Sequence, residues 1–319
     1  MKKNFYIISA ILIIFLILFK TFDYFYSVES LFTPSYKDLI KSDIDYKKQI
    51  IAQSGLSDLT LEDLSSIVGP YELEEFMTAN SENPDIYTPS NRNIQQKIFQ
   101  ANFHSHTRNS DGSLTVEEML DLAKKYAETE PVKPFYISIT DHNKTISGKQ
   151  IVEILNNNSE KYKNLKIVLG MEVYSILDAK IPITRTGINV HLVSLAINPY
   201  DKELNEVFYD RKFDRNNYSH RTFESAVNLL NRKGLVGIAH PARYVYSNVM
   251  MNRKIYYWLV YKKYKFLVRK SFAFTEAYYQ SYSAYRFDLV ALIQTFCDVY
   301  EIKKTGSIDN HGRNFFSMN

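Results

Sequence analysis

The chain of 319 residues holds one cysteine, Cys297. That scarcity excludes an intrachain disulfide framework and any zinc site built from several thiolates. A metal bound here must take its ligands from His, Asp and Glu. An excess of one charge is also missing. The formal net charge of +4 is too small to argue by itself for a nucleic-acid partner. No internal repeat is present, so a repeat architecture is excluded. What remains is a globular balance, 45% hydrophobic and 23% charged, at a length that suits one large domain or one domain with an appendage.

The N-terminus is unlike the rest. Lys2 and Lys3 precede an uncharged run, Phe5 to Phe19, followed by Lys20 and the aromatics Phe22, Tyr24, Phe25 and Tyr26. A helical span needs about 20 apolar residues, with a range of roughly 17 to 25. With Lys20 snorkelling and the aromatics at headgroup level, residues 4 to 24 suffice. The rival readings are a buried helix and a cleaved signal peptide, but for the latter no A-x-A-like site follows the core and no lipid-modifiable cysteine is near. The expectation is a single-pass anchor over residues 1–26, its N-terminus cytoplasmic on account of Lys2 and Lys3, and the rest extracytoplasmic.

Residues 27–96 read as a stalk or small helical region. YKDLIKSDIDYKKQIIAQSG has helical spacing and stops at Gly55; LTLEDLSSIVG offers another short helix; SENPDIYTPSNRN reads as a linker. From about residue 97 to 319 the texture becomes alternating strands and helices. Expected strands are KIFQANFH, PFYISIT, LKIVLGMEV, NVHLVSLAI, LVGIAH, FAFTEAYY and KTGSID. Thr115 and Glu118 form a capping box for TVEEMLDLAKKYA, and NYSHRTFESAVNLLNRKG reads as a helix with Gly234 as its C-cap. YRFDLVALIQTFCDVY is another helix. This alternation implies an α/β fold with a mainly parallel sheet, open or closed as a barrel.

The polar residues then fall into a pattern. His104 and His106 end the first strand, Asp141 and His142 the second, and Glu172 the third; His191 lies in the fourth, His240 ends the fifth, and Asp309 and His311 follow the seventh. In parallel α/β folds the C-terminal strand ends form the active-site face. Residues i and i+2 of a strand point to one side, so His104 and His106 can reach one ion while Ser105 points away, and the same holds for Asp309 and His311. Imidazole and carboxylate donors without thiolate suit zinc, manganese or iron. Glu172 can bridge two ions, and the set is too large for one tetrahedral site. Each element alone has a plain structural alternative: a turn cap in T-D-H, a core histidine at 191 or 240, a salt-bridge partner at 172. The ordered set across five strand ends carries the argument.

With these residues on the page, the sequence resembles the polymerase and histidinol phosphatase (PHP) metallophosphoesterases. The resemblance runs from about Phe103 to Phe315 through FHSHTRNSDGSLTVEEMLDLAKKYA, SITDHN, LGMEVYS, HLVSLAI, GLVGIAHPAR, TEAYY and GSIDNHG. It implies a distorted seven-stranded β/α barrel carrying two or three divalent ions. It implies as ligands His104, His106, Asp111, His142, Glu172, His191, His240, Asp309 and His311. Asp111 comes from the S-D-G element, where composition alone reads a turn. The branch most resembled contains small phosphatases, nucleotidases and 5′-exonucleases. The implied substrate is a phosphorylated small molecule, a nucleotide or a nucleic-acid end, with no obligate protein partner evident. One departure stands out: the last motif usually reads G-S-D-x-H, and here Ile308 intrudes to give G-S-I-D-N-H.

The expected chemistry is hydrolysis of a phosphate mono- or diester by a hydroxide held between two ions. Arg243 and Arg108 are the candidate phosphate clamps, because guanidinium binds phosphate bidentately. Asp141 is the candidate partner that orients a ligand histidine. Two alternatives stay open: a metal-dependent amidohydrolase, which usually adds a carboxylated lysine where this chain has Glu172, and a noncatalytic metal-binding or sensor barrel. Arg253–Lys270 interleaves Lys and Arg with Tyr, Trp and Phe. It can be read as a track for a polyanionic substrate, a contact with an anionic membrane, or a barrel helix with a solvated basic face.

Overall fold

The computed structural model describes residues 34–87, 99–129, 134–177, 188–207, 222–241, 253–268, 272–279 and 287–312. The apolar N-terminal segment, Arg243 and His220 lie outside them. Among the described residues no helix is long and apolar enough to cross a membrane.

Seven strands form one sheet in sequence order: β1 (Ala101–Asn102), β2 (Phe135–Ile139), β3 (Leu165–Leu177), β4 (Ile188–Leu195), β5 (Leu235–Ile238), β6 (Ala273–Tyr279) and β7 (Lys303–Ser307). Each falls within or overlaps a run expected from the sequence. Beyond the ends of β1 and β7 a bridge between Ser105 and Asn310 nearly closes the sheet into a barrel. Between the strands run α4 (Val116–Thr129), α5 (Ile146–Asn158), α6 (Lys202–Val207), α7 (Phe223–Leu230), α8 (Arg253–Leu267) and α9 (Phe287–Tyr300). The capping box of α4 is present: Thr115 N–H donates to Glu118 Oε2 at 2.7 Å and Glu118 N–H to Thr115 Oγ1 at 3.2 Å. Its apolar positions 116, 119, 120, 123, 126 and 127 share one buried stripe.

The sheet is not uniformly parallel. β4 runs antiparallel to both β3 and β5, while the other neighbours are parallel. β3 is long because it serves two partners in turn: residues 165–169 pair with β2 and residues 170–177 with β4. The lower edge of β3, beyond the reach of β4, is covered by the chain before the barrel. Ile67 bridges Ile167, with Val68 N–H donating to Ile167 O and Ile167 N–H to Ser66 O, both at 2.8 Å. An uncovered edge would leave such groups unpaired.

Residues 34–87 therefore do not stand apart as the expected stalk. They form α1 (Tyr36–Leu39), α2 (Asp43–Ser54) and α3 (Pro70–Asn80), and Tyr46, Ile50, Leu64, Val68, Leu73, Met77 and Tyr87 are fully buried in the same core as the barrel. Tyr46 Oη donates to Ile197 O at 2.8 Å, Tyr278 Oη donates to Ser81 O at 2.9 Å, and Phe76 stacks on Tyr136 with centroids 4.0 Å apart. These contacts reach Ile197 just after β4, Tyr278 on β6 and Tyr136 on β2. α2 ends at Gly55 in the left-handed conformation, φ +74°, as its sequence requires. The Asp43 carboxylate accepts from Tyr71 N–H and Glu72 N–H at 2.8 and 3.0 Å and so caps α3. LTLEDLSSIVG forms turns rather than the expected helix. Gly234 is not a helix cap either: α7 ends at Leu230, and a Cβ on Gly234 would lie 2.5 Å from Leu195 O, so close approach requires the glycine.

Candidate metal centre

Six histidines converge at one end of the barrel: His104, His106, His142, His191, His240 and His311. Four carboxylates join them, Asp111, Glu172, Glu276 and Asp309. His104 and His106 follow β1 and converge, with their Nε2 atoms 2.9 Å apart. Glu172, fully buried on β3, is the hub. Its Oε1 lies 2.6 Å from His191 Nδ1 and 2.9 Å from His240 Nε2. Its Oε2 lies 2.7 Å from His142 Nδ1, 3.1 Å from His104 Nε2 and 3.3 Å from His106 Nε2.

His191 reaches the site because β4 is inverted. In an antiparallel strand the N-terminal half lies beside the C-terminal half of β3, and His191 pairs with Tyr174 two residues beyond Glu172. A parallel β4 would have carried it away from the strand ends. His240, with φ +24°, and Asp309, with φ +50°, both hold backbones that side-chain-bearing residues rarely adopt.

The extra Ile308 is turned into the core, 2% exposed. Asp309 still brings Oδ1 to 3.1 Å from His106 Nε2 and 3.3 Å from His104 Nε2. Strand alternation does not carry Asp309 and His311 to one position, however, because β7 ends at Ser307 and Asp309 is left-handed. His311 instead faces Asp111, Nε2 to Oδ1 3.2 Å, and Asp111 Oδ1 also lies 3.4 Å from His142 Nε2. Asp111 reaches this place because its loop folds onto His106: Gly112 N–H donates to Thr107 O, and a Cβ on Gly112 would lie 2.1 Å from His106 O.

The candidate metal-binding groups overlap: His104, His240 and Asp309; His104, His106 and Glu172; Glu172, His191 and His240; and, more open to solvent, His106, Asp111, His142 and His311. Donors bound to one ion at about 2.0–2.2 Å stand roughly 3.0–3.4 Å from each other at tetrahedral or octahedral angles. Most of the N···O separations above fall in or near that window.

Two of the candidate catalytic residues have other partners. Asp141 is fully buried but orients no histidine. It accepts from Thr107 N–H at 2.7 Å, Thr107 Oγ1 at 2.6 Å, and the hydroxyls of Ser110 and Ser147, tying the ligand loop to α5. Four nearby donors satisfy it before any imidazole can. Arg108 is exposed, with its Nε donating to Ser113 O at 2.8 Å and its guanidinium 3.8 Å from Glu118 on α4. Arg243 lies outside the described residues.

The orienting carboxylate is Glu276, which the sequence reading left unassigned within TEAYY. On β6, beside a register shift, it meets His104 Nδ1 at 3.0 and 3.2 Å and accepts His240 N–H at 2.8 Å. A bulge re-aims a side chain in this way. Its signal in the sequence was an acid in an otherwise apolar strand.

The imidazoles and carboxylates of the cluster shift one another's pKa values. Burial disfavours a charged His104, yet Glu276, Glu172 and Asp309 hold its pKa well above normal. His142 rises to about 9: burial opposes, and Glu172 and Asp111 prevail. His191 falls to about 3, chiefly through burial, which Glu172 only partly offsets. Burial disfavours ionised Glu172 and Asp309, but the surrounding imidazoles hold both well below the carboxylate range.

No family model and no curated protein matches the chain. It is similar to a solved amidohydrolase from Chromobacterium violaceum with bound sulfate and no metal. That match has 18% identity, 67% of this chain and 88% of that one, and TM-score 0.48. A second solved structure, from Bifidobacterium adolescentis, is described as a metal-dependent phosphoesterase. It matches at 13% identity over 67% of this chain and 88% of that one, with TM-score 0.47. At these values neither bears on the reading of the site.

Proposed function

We propose that the protein is a metal-dependent phosphoesterase whose centre holds two or three divalent ions, zinc, manganese or iron. The observation that carries the metal is the surroundings of His104. Glu276 faces Nδ1 of the His104 ring, so Nε2 is the atom turned into the cluster. It meets His106 Nε2, Glu172 Oε2 and Asp309 Oδ1 at 2.9, 3.1 and 3.3 Å. Four such atoms converging on one buried point call for a cation among them: in the metal-free protein a proton on His104 serves, in keeping with its raised pKa, and a divalent ion that takes all four donors replaces it. Charge agrees: two divalent ions balance the four carboxylates.

When bound, such ions lower the pKa of a water and neutralise phosphoryl oxygens. The chain's own residues do the rest. Glu172 offers one oxygen to His191 and His240 and the other to His104, His106 and His142, the arrangement of a bridging carboxylate. Glu276 fixes the His104 ring. His311 and Asp111, 30% and 21% exposed, form the open side from which a substrate enters. A third ion at that open group would leave the centre net positive, the sign a phosphate ester needs. Glu172 in place of a carboxylated lysine supports phosphoesters over amides. The proposal includes a single-pass anchor formed by the N-terminal run, with the barrel on the extracytoplasmic side, and a nucleotide, nucleic-acid end or phosphorylated small molecule as substrate.

The test uses the full chain: bound metals are quantified, then phosphomonoester, phosphodiester and amide substrates are assayed with added Mn²⁺ or Zn²⁺, beside the His104→Ala/His106→Ala variant. At least two ions and chelator-sensitive phosphoester hydrolysis that the variant loses are expected. Amide hydrolysis alone would replace the reading, and a folded protein without stoichiometric metal would end it.

A further inference from the structure

We infer that Asn109 and Gln150 are positioning residues for one ion of the centre: their contact anchors the loop that carries Asp111, and so sets how firmly the outermost metal position is held. The inference rests on the metal reading above. The solvent-facing group, His106, Asp111, His142 and His311, contains a single carboxylate, Asp111. His106 turns its Nε2 to the buried cluster, 3.3 Å from Glu172 Oε2 and 3.1 Å from Asp309 Oδ1. The outer position therefore draws on Asp111, His142 and His311, with Asp111 Oδ1 3.4 and 3.2 Å from the two Nε2 atoms. Asp111 is the one anion that can hold a dication there, whereas each buried group contains Glu172 or Asp309.

Asp111 is carried by a loop, between the exposed residues Arg108 and Ser113, while Glu172 is fixed inside β3. Three consecutive side chains of that loop go to three places. Asn109 Nδ2 donates to Gln150 Oε1 at 2.7 Å and to Ser147 Oγ at 2.8 Å, both on the first turns of α5. Ser110 Oγ donates to Asp141, and Asp111 turns to the imidazoles. Lys144 Nζ, from the segment after His142, donates to Asn109 O at 2.5 Å. A loop samples other conformations unless its surroundings hold it, and a ligand that it carries is lost for the fraction of time it is away. The Asn109–Gln150 contact therefore adds to the affinity of the outer position and not to that of the buried ones.

The test is equilibrium dialysis of the full-length chain against Mn²⁺, for wild type, Asp111→Asn, Asn109→Ala, Gln150→Ala and Asn109→Ala/Gln150→Ala. Asp111→Asn identifies the outer ion as the one it loses. Asn109→Ala is expected to weaken that same ion roughly 10–100-fold, the usual loss when a group orienting a metal ligand is removed, and to leave the others at wild-type affinity. Gln150→Ala is expected to weaken it less. The double variant is expected to lose no more than Asn109→Ala alone, because both substitutions remove one contact. The melting temperature of the metal-free protein should stay unchanged. Wild-type affinities in Asn109→Ala, equal weakening of every ion, additive losses in the double variant, or an Asp111→Asn chain that keeps every ion would each overturn the inference. A wild-type chain that takes up no ion would end the metal reading and this inference with it; a full complement indifferent to Asn109→Ala would end this inference alone.

Discussion

Replacing Glu172 by Gln changes few atoms and tests the metal centre at its hub. The carboxylate is fully buried, with two ring nitrogens 2.6 and 2.9 Å from Oε1 and three others 2.7, 3.1 and 3.3 Å from Oε2. Glutamine keeps one acceptor oxygen and turns an NH₂ toward the other set. Whichever way it settles, either the His191–His240 side or the His104–His106–His142 side loses its carboxylate ligand, and the centre loses one negative charge. Removing one partner from a buried charged contact costs about 3–5 kcal/mol. At about 1.4 kcal/mol per factor of ten, that is a loss of roughly a hundred- to few-thousand-fold in affinity for at least one ion. The assay is metal stoichiometry by mass spectrometry after dialysis against a competing chelator, with circular dichroism as the check on folding. Loss of one ion or more, with hydrolysis falling alongside, is expected. A folded Glu172→Gln protein that keeps the full complement at wild-type affinity would refute the bridging role.

Glu276→Gln should weaken metal binding about 10–100-fold, the usual loss when a group orienting a ligand histidine is removed. Tyr278→Phe, on the same strand but bonded to Ser81 O rather than to a histidine, should not; equal losses in competition titrations would reduce Glu276 to a structural role. The pH response of chelator-treated protein has a definite sign. His142, raised to about 9, binds more protons folded than unfolded between about pH 6.5 and 9, and the raised pKa values of His104 and His311 act in the same direction. Its stabilising contribution is complete below about 6.5 and is lost as pH rises through about 9, so the melting temperature of the metal-free protein should fall across that interval; a rise would contradict the assignment. Metal affinity should increase over the same interval, because each ion displaces the proton. Leu73→Ala or Met77→Ala should cost about 2–5 kcal/mol in denaturant unfolding, since both side chains are fully buried where α3 joins the barrel core. An unchanged midpoint would restore the stalk reading.

The sequence by itself determined the strands, several of the helices and most of the histidines and carboxylates that converge, because these depend on short-range regularities. Apolar runs of strand length, the Thr115–Glu118 box, Gly55 and the His104–x–His106 pair each act within a few residues. Pairing was beyond its reach. Whether β4 runs up or down is settled by what it packs beside, and only that reversal carries His191 to Glu172. The edge of β3 left open below β4 is what draws residues 66–68 into the sheet, so a segment that reads as a stalk becomes part of the core. Asp141 and Glu276 show the same division at the level of single side chains. Both are acids in or beside apolar strands, and which one faces an imidazole depends on neighbours far away in sequence. Thr107, Ser110 and Ser147 surround the first, while His104 and the backbone of His240 meet the second. A buried carboxylate goes to the donors that the fold brings to it, and only the closed barrel decides which those are.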